Sequence, residues 1–177
     1  MRKLFAVFLG GKALRSNTEL HDVVFVAGER LEDTYDDLLA LWFGSPEGLH
    51  IDSWLEIDVV DGQRVTLRPE APSGGPRLYF VNLGAYRADQ FGELHASRIL
   101  VAVDAAAAKA RAKAELLQGL DMVHTDDLYD VDDCLEIGEV AGWHVHLEPS
   151  SAAGPLVPHN GYHPLPESVI QRFVRGD

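Results

Sequence analysis

The sequence predicts an α+β fold: a tandem duplication of a β-β-α-β-β unit, two pseudosymmetric halves sharing one core, then a Pro-rich C-terminal tail with a short helix. Three observations predict it. The chain repeats itself. Each copy mixes strand-length apolar runs with one helical stretch. A glycine turn recurs at the same place in both copies.

The repeat comes first, because internal periodicity outranks other signals in reading a fold. A shift of 74 residues carries Leu4, Val7, Leu9, Gly10, Glu19, Leu20 and His21 onto Leu78, Val81, Leu83, Gly84, Glu93, Leu94 and His95. A shift of 80 carries Asp52, Leu55, Glu56, Ile57, Val60, Gly62, Val65, Leu67 and Pro69 onto Asp132, Leu135, Glu136, Ile137, Val140, Gly142, Val145, Leu147 and Pro149. The change of shift puts six extra residues into the second copy, near His124–Tyr129. The copies are 2–69 and 77–149, one pseudosymmetric domain together. The turn-rich linker Glu70–Pro76 joins them, and 150–177 is the tail.

Within copy one, Leu4–Leu9 and Val23–Ala27 are continuous apolar runs, as in strands covered on both faces. Glu29–Phe43 carries Leu31, Tyr35, Leu38 and Trp42 at helical spacing. Trp54–Val60 and Arg64–Leu67 flank Asp61-Gly62, a hairpin-turn pair. In copy two the turn is Ala141-Gly142. The helix there is Ala105–Gln118, with Asp104 as N-cap and Gly119 past its end. In the tail, Pro166 opens a short helix that presents Val169, Ile170 and Phe173. Eight strands and two main helices result. A single copy is marginal as an independent core, so the copies must share one core or one sheet. An open strand edge offers a route to a homodimer.

Composition limits the function classes. Lys plus Arg total 15 against 28 Asp plus Glu, a net charge of −13. A duplex binder gains affinity by neutralising phosphates with basic side chains, so the charge argues against nucleic acid and anionic membranes as partners. The one cysteine, Cys134, cannot form an intramolecular disulfide and suits a reducing compartment, the cytoplasm. The apolar run Leu4–Leu9 is shorter than a signal-peptide core and recurs at Leu78, so it is a strand.

Several groups carry candidate chemistry. Glu19-Leu20-His21 and its twin Glu93-Leu94-His95 each open a strand, where residues i and i+2 share a face. A carboxylate beside an imidazole is the setting of a general base or metal ligand, and the four residues are the catalytic candidates. The competing reading is a strand-entry motif bonded to its own loop. His50 and Asp52 lie on an extended segment as binding candidates, with Asp132 matching Asp52. His144 and His146 share a strand face and are weak metal candidates. Gly10-Gly11 and Gly84 follow strands, where turn geometry explains them. Asp121–Glu139 is a solvated acidic stretch without the glycine-centred calcium-loop pattern. Cys134 stands where copy one has Trp54, which reads as packing rather than a nucleophile.

Glu19–Val26, Leu49–Trp54, Phe80–Gly84 and Asp127–Cys134 resemble the bacterial domain of unknown function 1543 family. The resemblance covers about 3–148 and excludes the tail. It implies a bacterial cytoplasmic protein with the domain in two tandem copies. It supplies no catalytic residue and no cofactor. The sequence favours a non-enzymatic binding or interaction module. The alternative is a small metal-dependent enzyme built on the paired Glu/His motifs.

Overall fold

The computed structural model describes residues 1–86, 89–116, 122–123, 134–152 and 154–176. It is an α+β fold, mostly strands, with three helices and several sheets. In the first sheet, β1 (Lys3–Gly11) lies between β2 (Leu20–Gly28) and β3 (His50–Glu56). In a second, β6 (Arg77–Tyr86) pairs with β7 (Leu94–Ala102), β8 (Met122–Val123) and β9 (Cys134–Glu136). The third joins the copies: β5 (Gln63–Arg68) pairs with β11 (Trp143–Pro149), and the short β4 (Val59–Val60) and β10 (Glu139–Val140) flank them.

Alternation along β1 explains its unbroken apolar run. Successive side chains of a strand leave on opposite faces. Phe5, Val7 and Leu9 enter one apolar cluster, while Leu4 and Ala6 enter another. The first cluster holds Leu38 of α1 (Tyr35–Leu41) and Ile170 of α3 (Glu167–Arg175). The second mixes the copies, packing Leu4, Ile57 and Val60 with Leu78, Ile137 and Val145. The third seats Ala108 and Ala112 of α2 (Ala105–Leu116) on Val81 and Leu100. Asp104 caps α2, its Oδ1 accepting from the Ala107 N–H at 2.8 Å.

The structure departs from the sequence reading in four places. The described residues contain twelve strands rather than eight, and three clusters rather than one core. The stretch Glu29–Phe43 is a 3-10 turn at Leu31–Thr34 followed by α1, which stops at Leu41. Trp42 turns to extended backbone, and its indole lies over Gly11 and Gly44, where a Cβ would come within 2.9 and 2.7 Å of the ring. The strand expected at Trp54–Val60 begins at His50 and breaks after Glu56. Finally, the tail contributes a strand: β12 (His159–Pro164) pairs with β3 and completes the first sheet. No helix among the described residues is long and apolar enough to cross a membrane.

Candidate functional site

The first sheet sets three residues in one row. Gly10 pairs with His21 on β2 and with His50 on β3. Directly paired residues project to the same face, so the two imidazoles flank a glycine. A register shift follows: Phe8 pairs with Ser53, but Leu9 pairs with Ile51. Asp52 is therefore the extra residue of a β-bulge, a feature that re-aims a side chain. Its carboxylate comes over Gly10. A Cβ on Gly10 would collide with Asp52 Oδ2 and lie 2.5 Å from His50 Nε2. Gly10 and Gly11 lie inside β1, without positive φ. The turn explanation for these glycines is thus replaced by close approach, of the site on one face and of Trp42 on the other.

His50 is buried, with 3% of its surface exposed. Its Nδ1 lies 2.9 Å from the Gly48 carbonyl oxygen. A carbonyl only accepts, so Nδ1 carries the proton of that bond. Nε2 then faces Glu19 Oε1 at 2.9 Å and Asp52 Oδ1 at 3.4 Å. His21 reaches the other oxygen of Asp52, Nε2 to Oδ2 at 3.3 Å. That oxygen is sealed from solvent and has no hydrogen-bond partner. Glu19 is about half exposed and forms the mouth of the cluster. Tyr162 of β12 rests on His50 with ring centres 4.4 Å apart, and Phe8 stacks on His21 at 5.3 Å.

Phe8 also lines a groove of about 480 Å³ between the copies. Its walls include Val23 and Leu55 of copy one, Phe80 and Ile99 of copy two, and Leu156 beyond them. At its edge Asp61 clamps the copies together. Arg111 of α2 donates to both its oxygens at 2.6 and 2.7 Å, and the Val101 N–H donates at 2.8 Å. Burial alone would raise the Asp61 carboxyl, but the Arg111 hydrogen bonds, the Val101 N–H and the arginine charge together hold it below the ordinary carboxylate range.

The structure brings Glu19, His21, His50 and Asp52 together in copy one. It places Glu93 and His95 in another sheet, at the start of β7. There His95 Nε2 is 3.6 Å from Glu93 Oε2, Nδ1 is 3.1 Å from Asn82 Nδ2, and the Glu93 side chain packs over Gly84. Asp132 and most of Asp121–Glu139 lie outside the described residues. His146 Nε2 is 2.7 Å from the Glu70 carbonyl oxygen, and His144 Nδ1 is 3.9 Å from Glu139. Cys134 is half-buried, with Sγ 3.9 Å from the Ala105 carbonyl oxygen. Among the described residues no group of three His, Cys, Asp or Glu side chains is already arranged to hold a metal ion. Sequence reasoning singled out all four cluster residues but not their meeting, which joins loop-distant strands. It missed Phe8 and Tyr162, because neither belongs to a polar motif.

Residues 16–67 and 90–147 match the family described as Domain of Unknown Function (DUF1543). The chain belongs to the DUF1543 family. It carries the domain as two tandem copies, and the Glu19–Asp52 cluster falls wholly within the first matched region. The DUF1543 chain is also similar to a solved structure titled as a protein Il1583 from Idiomarina loihiensis. The two share 39% identity over 94% of this chain and 99% of that one, with a TM-score of 0.74. No curated protein matches the DUF1543 chain.

Proposed function

We propose that the protein is a small-molecule binding module, with its site formed by the copy-one cluster and the groove beside it. One observation carries this reading. Phe8 is at once the partner of His21 and a wall of the groove, so this one ring links the polar cluster to the apolar cleft. Ligand sites characteristically combine an apolar cleft of this size with a few convergent polar groups. Fragments titrated into isotope-labelled protein should shift the amides of Phe8, Gly10, Val23 and Ser53. Phe8→Ala should abolish those shifts. Shifts elsewhere, or none, would sink the reading.

A second reading is proton transfer, favoured by the fixed His50 ring. The Gly48 carbonyl sets the imidazole, and Nε2 lies beside a carboxylate, the arrangement of an oriented acid–base pair. It predicts that a bound fragment is chemically changed over time, and that His50→Asn keeps binding but stops the change.

We also read both copies as one β-β-α-β-β unit. The support is register: Gly10 pairs with His21 as Gly84 pairs with His95. Superposing Leu4–Leu67 on Leu78–Leu147 in an experimental structure tests it, and unequal strand order would refute it.

A further inference from the structure

We propose that the copy-one cluster holds the ammonium or guanidinium head of a small organic cation, whose apolar remainder runs past Phe8 into the groove. The proposal rests on the binding-module reading and names the ligand's chemistry.

The cluster has a surplus of acceptors. Among the described residues, no lysine or arginine pairs with Glu19 or Asp52; their ion-pair partners are His50 and His21 alone. The His50 Nδ1 proton is committed to Gly48. The Nε2 atoms of the two rings make the contacts to these carboxylates, His50 to Glu19 and Asp52 Oδ1 and His21 to Asp52 Oδ2. Asp52 Oδ2 is buried and makes no aligned hydrogen bond, its neighbouring donor being His21 Nε2 at 3.3 Å, so the carboxylate is under-satisfied. An ammonium brings three donors and a guanidinium five, each with a positive charge. Either would bring donors to both Glu19 and Asp52 and offset one of their two negative charges.

The surroundings favour an organic cation over a bare metal ion. Two aromatic rings border the cluster: Phe8 is 40% exposed and Tyr162 66% exposed. Cations are attracted to ring faces, and alkyl or aryl groups pack on them. The glycine at position 10 lets Asp52 and His50 converge over the strand, so that both side chains stand close together. Glu19 at the mouth holds His50 and still has nearly half of its side chain in solvent, where a ligand can reach it. Among the described residues, the position of Phe8 has no aromatic counterpart in copy two. Asn82 occupies the position of Phe8 and bonds Ser97, so the site belongs to copy one.

The test uses the whole chain and calorimetric titration. Probes are phenethylamine, its uncharged isostere phenethyl alcohol, a blocked Gly-Lys-Gly peptide and zinc chloride alone. The expected result is that phenethylamine or the lysine peptide binds at least about tenfold more tightly than the alcohol. The tighter of these two names the source as a free amine or a protein side chain. Glu19→Gln and Asp52→Asn should each weaken that binding about tenfold or more, and Glu93→Gln in copy two should leave it unchanged. Equal binding of amine and alcohol overturns the cation and leaves the groove standing. Binding of none of the probes overturns both. Zinc binding that disappears in Glu19→Gln, without amine binding, overturns the proposal in favour of a metal site. The comparison of amine with alcohol needs no variant, so a misfolded mutant does not spoil it.

Discussion

Gly10 shows how one missing methyl group can hold a site open. Two side chains occupy the space a Cβ would take, those of His50 and Asp52, and the His50 ring is buried with nowhere to retreat. Gly10→Ala should cost about 1–3 kcal/mol, as overpacking does. It should also displace the His50 ring, visible as moved imidazole resonances. Unchanged stability and resonances would refute the close-approach account. Asp61 offers a second residue-scale test. Its carboxyl is held below its unfolded value, so its contribution is complete above the unfolded pKa of about 4 and fades as pH falls through the folded one. Asp61→Asn should lower stability by about 1–2 kcal/mol at neutral pH. The gap to wild type should close in acid. A gap independent of pH would mean that the Arg111 contact contributes through packing rather than charge.

The elements show what local sequence could and could not reveal. Leu4–Leu9, Val23–Ala27 and the glycine turns were legible because apolar runs and turn residues are local signals. The left-handed φ of +51° at both Asp61 and Ala141 confirms that the two hairpins use one turn geometry. The end of α1 was not legible. Its spacing continues through Trp42, yet the indole does better over two glycines than on a helix face, and tertiary packing overrode periodicity. Trp42 is 6% exposed, so Trp42→Ala should cost about 3–5 kcal/mol in chemical denaturation. Strand β12 was also hidden. His159–Pro164 is polar and exposed, with no alternation, and only its partner β3 makes it a strand. The helix behind it carries the buried Ile170. Ile170→Ala should therefore cost about 2–5 kcal/mol. A value near zero would mean that α3 docks without contributing to the core. The cluster was half legible. Each pair was visible, but the contact of Glu19 with His50 depends on strand order, which one sequence does not display.

At the scale of the whole molecule, the copies are joined three times over. They share an apolar cluster, the Asp61–Arg111 clamp and the β5–β11 ladder. That ladder is centred on Thr66 and His146, which are equivalent under the 80-residue shift and pair with each other. The exposed linker, with Gly74 and Gly75 at positive φ, contributes none of these bonds. Proteolysis within Glu70–Pro76 should therefore leave two fragments that elute together on size exclusion, with the melting temperature nearly kept. Separation of the fragments in native buffer would show that the linker, not the interface, holds the copies. The return of β12 and α3 to the first sheet has a consequence for birth on the ribosome. Copy one emerges first, but its fourth strand and second covering helix are made after all of copy two. While residues 159–175 are still inside the exit tunnel, Leu49 and Ile51 lack Leu165 and Ile170, and His50 lacks Tyr162. Of the two copies, the one translated first is thus the last to be finished, and nascent copy one waits with an open edge that chaperones can occupy.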